Sequence, residues 1–221
     1  MSLHPDVHSQ IEQIELDPSR PLIISDADEV LFQFAAALEV FLEENGLYFD
    51  MSSFALTGNI KHKASDEPLS GEEVGKLIGD FFVARTEHME PVLGAPDALK
   101  RLSGRSQIVV LTNVPLAQRE ARIRGLQKHG MDYPVIANIG LKGAAVKAMR
   151  EKVKAPALFL DDIPHNIQSV AETADDVHLI HFIADDRLAK LLGPAEHSHH
   201  RADDWEALHD YIDGYLTDLG Y

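Results

Sequence analysis

Four short segments of this chain join apolar runs to side chains that can hold a cation or a phosphate. Leu22-Ile23-Ile24-Ser25 leads into Asp26-Ala27-Asp28-Glu29-Val30, and Ile108-Val109-Val110-Leu111 leads into Thr112-Asn113. Gly140-Leu141-Lys142-Gly143 offers an ammonium, and Leu158-Phe159-Leu160 stops on Asp161-Asp162. Ligands of open α/β sheets bind outside the carboxyl ends of the strands. If the three apolar runs are strands of one sheet, acids, a hydroxyl and a lysine gather at its edge. That set suits a divalent cation together with a phosphate.

Each segment also has a plainer reading. Asp26 and Asp28 can serve a polar turn feeding a helix, yet at this spacing they can share one cation. The Asp26 side chain and the Asp28 backbone carbonyl would supply the ligands, leaving the Asp28 side chain free for proton transfer. Magnesium fits such a site, with octahedral oxygen ligands at roughly 2.0–2.1 Å and several retained waters. Asp161-Asp162 can cap the helix that begins near Pro164. One aspartate satisfies a cap, and the repulsion between two adjacent acids asks for a cation nearby. Thr112-Asn113 is either a strand-end turn or a source of hydroxyl and amide donors for a phosphoryl oxygen. Lys142 precedes a helix start, where an anion also feels the helix N-terminus; Lys147 and Lys152 read as solvated surface charges.

The elements that must position these residues follow from the hydrophobic pattern. Leu22–Ser25 is too short and uniformly apolar for a surface helix and reads as a buried parallel strand. Helical spacing runs from Phe32 to Glu44, where Asn45-Gly46 is a stop signal. Residues 47–69 read as irregular, and Ser70 with Glu73 predicts a capping box for a helix reaching about His88. Beyond Pro91, Gly94 and Pro96 the alternation becomes regular. Strands are predicted at 107–111, 135–137, 157–160 and 177–183, separated by helices at 116–129, 143–153 and 164–174. A last helix is predicted at 204–216. This rhythm predicts a Rossmann-like α/β fold, a parallel sheet with helices on both faces. The helical stretch 35–91 interrupts it and reads as an inserted cap, with residues 1–34 and 92–221 forming a discontinuous core.

Bulk properties narrow the function. The 221 residues are 45% hydrophobic, enough for a buried core, and contain no cysteine, which removes thiolate metal sites and cysteine nucleophiles. The formal charge of −16 argues against nucleic acid or an anionic membrane as partner. A phosphate substrate must then be held by local cations, because distant charge is screened beyond about 8 Å at physiological salt. No apolar run approaches the ~20 residues of a membrane span. The first residues lack the basic-then-apolar order of a signal peptide. Cytoplasmic residence is the expectation.

Taken in order, these segments resemble the motifs of the haloacid dehalogenase superfamily, in its magnesium-dependent phosphatase branch with a helical cap. Asp26-Ala27-Asp28-Glu29-Val30 is similar to the first motif, Thr112-Asn113 to the second, Lys142 to the third, and Asp161-Asp162 with Asn166 to the fourth. Residues 91–99 resemble the re-entry from cap to core. The resemblance implies a phosphomonoester hydrolase in which Asp26 is the nucleophile forming an aspartyl-phosphate and Asp28 the acid and base. Thr112, Asn113 and Lys142 would hold the phosphoryl group. It also implies that Asp26, Asp28 and Asp162 bind Mg²⁺, with Asp161 acting through water and Asn166 supporting. Lys147 competes with Lys142 for the third motif. Glu29 departs from a position where Gly is common, so the turn after the nucleophile is expected to differ in shape.

The implied partner is a small phosphorylated metabolite, either a nucleotide monophosphate, suggested by the paired Asp161-Asp162, or a sugar phosphate. Phe32 and Phe34 are expected at the leaving group, and Phe49, Phe54, Phe81 and Phe82 mainly in cap packing. The alternative is a binding or regulatory member of the same fold with little turnover. His197, His199 and His200 fall in a stretch read as a loop, where histidines usually face solvent.

Overall fold

The central strands are apolar on both faces, so they fold only where helices cover each side of the sheet. The computed structural model of the protein describes residues 3–221. Helix α1 (Pro5–Glu12) precedes β1 (Leu22–Ser25). The chain then leaves the sheet through α2 (Phe34–Glu44), β2 (Leu47–Phe49), β3 (Ile60–His62) and α3 (Gly71–Arg85), returning along α4 (Ala95–Leu102) to β4 (Gln107–Thr112). There follow α5 (Arg119–Lys128), β5 (Val135–Ala137), α6 (Gly143–Arg150), β6 (Ala157–Asp161), α7 (Pro164–Thr173) and β7 (His178–Phe182). Helix α8 (Asp186–Ala189), β8 (His200–Ala202) and α9 (Trp205–Asp218) complete the chain. None of the described helices is long and apolar enough to cross a membrane.

Six parallel strands lie in the order β5-β4-β1-β6-β7-β8. The expected α/β sheet is therefore present, and the period-2 geometry of its strands divides the core in two. Leu22, Ile24, Val109 and Phe159 pack on one face under Val7 and Ile11 of α1 and Val146 of α6. Ile23, Val110 and Leu158 face the other side, against Leu99 of α4, Leu208 of α9, and Phe41 and Phe81 of the excursion. Each such side chain contributes about 1.5–3 kcal/mol of burial. After β1 the chain builds outward through β4 and β5, then crosses back to place β6 on the other side of β1. That reversal opens a crevice at the carboxyl end of β1.

Two departures from the sequence pattern have local causes. The excursion is not purely helical: β2 and β3 form an antiparallel pair, with Leu47 opposite His62 and Phe49 opposite Ile60. Three-residue strands are too short to display alternation, so 47–69 reads as irregular. The capping box of α3 forms as the spacing predicts, Ser70 accepting from the Glu73 N–H and Glu73 from the Ser70 N–H. At the other end, the stretch read as a loop contains the edge strand β8, where His200 pairs with Ile180. Its polar composition hid it. His199 Nδ1 accepts the Leu179 N–H at 2.9 Å, and the His200 ring stacks on Tyr211 with centroids 3.6 Å apart.

The turn after β1 keeps the shape a glycine would allow. Glu29 adopts φ 61°, a left-handed conformation that L side chains usually avoid. Its carboxylate explains how: Oε2 accepts the Ala35 N–H at the start of α2 and Oε1 accepts the Asp185 N–H before α8, both at 2.9 Å. One side chain thus ties the excursion to the loop after β7. Burial outweighs these hydrogen bonds and pushes the Glu29 carboxyl up to about 7. Gly143 marks a second constraint, since a Cβ there would lie 2.5 Å from both Ser169 Oγ and Thr173 Oγ1, and nearer still to the Ser169 carbonyl. Only glycine lets α6 approach α7 this closely.

Gly143→Ala is expected to lower stability by about 1–3 kcal/mol through overpacking, read by urea unfolding. Glu29→Gly should relieve about 1 kcal/mol of left-handed strain but orphan two N–H groups at about 1–3 kcal/mol each. Net destabilisation on the order of 1–5 kcal/mol is therefore expected for it. Because the folded state raises Glu29 from 4.5 to about 7, it binds that proton more tightly than the unfolded chain. The stability tied to this group is complete below pH 4.5 and declines as pH rises through about 7. Unfolding free energies of Glu29→Gly should lack that component of the slope.

Candidate active site

Strand register brings the candidate residues together. Ser25 pairs with Val110 on one side and Leu160 on the other, so Asp26 is the first residue beyond β1 and lies next to Asp161. The Asp26 N–H still donates to the Leu160 carbonyl at 2.9 Å, which fixes its backbone. Its Oδ1 accepts the Ala27 N–H at 2.7 Å and lies 2.6 Å from Lys142 Nζ. Lys142 stands at the N-cap of α6, and its ammonium also reaches Asp161 Oδ2 at 2.6 Å. Lys147, the competing lysine, is exposed one turn further along α6.

The two adjacent aspartates differ in how their oxygens are used. Asp161 spends Oδ2 on Lys142 and Oδ1 on the Ile163 N–H and on Asn166 Nδ2, at 2.9 and 3.0 Å. Asp162 is also buried, but among the described residues no protein donor reaches its carboxylate. Only its carbonyl is engaged, by His181 Nε2 at 2.9 Å. Carboxylate oxygens of Asp26, Asp161 and Asp162 lie within 4.8 Å of one another.

This is an electron-rich cluster with one ammonium. Burial, with Asp161 and Asp28 nearby, pushes Asp26 up to about 7 against the pull of Lys142. Burial and the neighbouring Asp161 and Asp26 raise Asp162 well above the usual carboxylate range. Lys142 behaves oppositely: burial opposes its charge, but Asp161 and Asp26 outweigh it and raise its pKa. Oxygen-only donors, with one buried carboxylate free of protein partners, fit a hard divalent cation of the magnesium kind.

Asp28 occupies a different setting. Its Oδ1 accepts from Nη2 of Arg122 at 2.6 Å, while Thr112 Oγ1 stands 3.4 Å from Oδ2. Arg122 is fully buried on α5, and its guanidinium lies over the Phe32 ring, 5.0 Å from the centroid. Two of its nitrogens, Nε and Nη1, have no hydrogen-bond partner among the described residues. The sequence pattern does not single out Arg122, because α5 is charged on several sides. The available signal was its place one turn before Gly125 and Leu126, the other buried positions of that helix.

The acids open into a cavity of about 280 Å³. Asp26, Asp28, Asn113, Lys142, Asp162 and Asn166 contribute to its wall. Thr112 is fully buried and does not line it. The aromatic residues distribute differently from the expectation. Phe32 is buried in the core against Arg122, and Phe81 is buried in the core as well. Phe34, as expected, faces the cavity, and so do Phe49, Phe54 and Phe82, which were expected mainly in packing.

No protein-family model matches the chain, and no curated protein matches its sequence. Its fold, by contrast, is shared with solved structures. A haloacid dehalogenase-like hydrolase from Streptococcus pneumoniae is 12% identical with a TM-score of 0.60, covering 89% of this chain and 100% of its own. A haloacid dehalogenase-family hydrolase from Deinococcus radiodurans, solved with phosphate and sodium, is 12% identical with a TM-score of 0.59, covering 90% of this chain and 97% of its own. A variant of CbbY from Rhodobacter sphaeroides, solved with xylulose-(1,5)bisphosphate, is 14% identical with a TM-score of 0.54, covering 84% of this chain and 95% of its own. A six-stranded parallel sheet with an excursion after its first strand, an acidic cluster at the strand ends and these structural relatives together define the chain as a protein of the haloacid dehalogenase-like fold.

Proposed function

We propose that this protein is a Mg²⁺-dependent phosphomonoester hydrolase that works through an aspartyl-phosphate on Asp26. The observation that carries this reading is the setting of Asp26. It borders the cavity, one oxygen is oriented by the Ala27 N–H and Lys142, and the unpartnered Asp162 carboxylate is close by. The phosphate held by the Deinococcus relative and the sugar bisphosphate held by CbbY support a phosphorylated substrate. Asp26, the Asp28 carbonyl and Asp162 would hold the cation, which supplies charge neutralisation for the incoming phosphoryl group. Asp161, with both oxygens already committed, orients Lys142 and supports from behind. Residues 35–91 serve as the cap.

In the first step a carboxylate oxygen of Asp26 attacks phosphorus, and the bond from phosphorus to the ester oxygen breaks. Asp28 gives its proton to the departing oxygen. Arg122 binds Oδ1 and leaves Oδ2, with only the long Thr112 contact, as the oxygen for proton transfer. Lys142 and Asn113, both on the cavity wall, stabilise the negative phosphoryl oxygens, with Thr112 buried behind them beside Asp28. In the second step Asp28 takes a proton from water, whose oxygen attacks phosphorus. Inorganic phosphate leaves and the Asp26 carboxylate is restored.

Three outcomes test the proposal. Hydrolysis of p-nitrophenyl phosphate should require Mg²⁺ and fall at least about 10³-fold in Asp26→Asn; activity retained in that variant would remove Asp26 as nucleophile. Asp28→Asn should release about one equivalent of nitrophenolate in a burst, because this leaving group needs no proton, and then turn over roughly 10²–10⁴-fold more slowly. Independently of activity, Mg²⁺ at 100-fold its Kd should stabilise the fold by about 2.7 kcal/mol in thermal or urea unfolding. Asp162→Asn should lose that gain.

A further inference from the structure

The cavity divides sharply into a polar floor and an apolar roof. Its polar lining residues come from the strand-end loops of the sheet and the first turn of α7, whereas the seven residues supplied by segment 34–91 are all apolar. Phe34, Phe49, Phe54, Leu56, Ile78 and Phe82 make up nearly all of that roof. Among the described residues, Lys142 is the only cation lining the cavity, and it is already shared by two carboxylates.

Of the lysines and arginines in the segment that supplies the roof, Lys76 is exposed on α3 and does not line the cavity, and the other three are paired with carboxylates. Lys61 pairs with Asp50 at 2.6 Å, Lys63 with Glu43 and Arg85 with Glu44. Arg187, beside the cavity residue Leu188, is held by Glu39 and Asp185 at 2.8 and 2.7 Å. A second phosphate or a carboxylate on the leaving group would therefore meet no positive side chain at the roof. The hydroxyls of a sugar would lose water against aromatic faces that offer no hydrogen bond, a cost that is not recovered. An apolar group would gain by leaving water at the same surface.

Resting on the hydrolase reading above, we propose that the substrate is a compact monophosphate whose leaving group is uncharged and apolar, an aryl-alkyl or short alkyl alcohol, rather than a sugar phosphate, a bisphosphate or a nucleotide. The cavity volume of about 280 Å³ agrees with a leaving group of one ring or a short chain. The roof recognises by shape and desolvation, and the floor handles the single phosphoryl group.

The test compares esters of primary alcohols, whose intrinsic reactivity is similar, so that rate differences report binding. With Mg²⁺ present, kcat/KM for benzyl phosphate and n-butyl phosphate should exceed that for glucose 6-phosphate and fructose 1,6-bisphosphate by at least about tenfold. Phe54→Ala should raise KM for benzyl phosphate more than for glucose 6-phosphate and narrow the gap. Equal or greater kcat/KM on glucose 6-phosphate overturns the inference while leaving the hydrolase reading intact. If no ester, including p-nitrophenyl phosphate, is hydrolysed, the hydrolase reading fails and the pocket is judged by calorimetric binding of two non-hydrolysable probes. Benzylphosphonate binding more tightly than phosphonoacetate then upholds an apolar pocket. The reverse order, equal affinity, or binding of neither overturns it.

Discussion

One buried ammonium holds the candidate site together. Lys142 reaches Asp26 beyond β1 and Asp161 at the end of β6, both at 2.6 Å, from the start of α6. Two charges of one sign and one of the other leave a buried cluster whose desolvation is only partly repaid. Each partner depends on the others, and loss of one member of such a buried set typically costs about 3–5 kcal/mol. The remaining imbalance gives the cluster its chemical character. Asp162, whose carboxylate meets no donor among the described residues, and Asp26, with one oxygen oriented, are the groups on which an added cation would act most strongly.

The rest of the architecture can be seen as what keeps that lysine and those acids in register. Parallel pairing sets Asp26 one residue past Ser25 and beside Asp161. The absence of a side chain at Gly143 lets α6 sit against Ser169 and Thr173 of α7, so the residue before it enters the site. Glu29 bears an unfavourable φ and a costly burial, yet its two hydrogen bonds fasten α2 and the loop after β7 to the same turn that carries Asp26 and Asp28. Trp205 closes that turn from behind, its Nε1 donating to the Val30 carbonyl at 2.8 Å. On the other flank Arg122, stacked over Phe32, fixes one oxygen of Asp28. Rigid support of this kind is what positions groups for reaction without cost at the moment of reaction.

Much of this was legible along the chain because strand runs and their carboxyl-end residues are local properties. Four of the strands of the sheet are uninterrupted apolar segments, and each one's end follows directly from where apolarity stops. The short strands β2, β3 and β8 were not legible, because three residues pair without needing a hydrophobic signature and His200-Arg201-Ala202 lies at a polar edge. That Phe49, Phe54 and Phe82 also border the cavity was hidden for a related reason. Helical spacing tells which residues share a face, but Phe49 and Phe54 lie outside helices, and whether Phe82 meets a neighbour or a cavity depends on how α3 sits over β1.

The amino-acid order alone determined which chemistry was available: acids at 26, 28, 161 and 162, a hydroxyl at 112, a lysine at 142, no thiol, and a parallel sheet to align them. Tertiary packing alone decided how those groups share their bonds. It committed both oxygens of Asp161 and left Asp162 free, joined Asp28 to a buried arginine 94 positions away, and turned an acid at a glycine position into a tie between distant segments. It also lined the cavity roof with apolar side chains while binding nearby cations to outer carboxylates. The reason is physical: residue type is a property of one position, but the partner that desolvates, neutralises or orients it is brought by the fold from elsewhere in the chain.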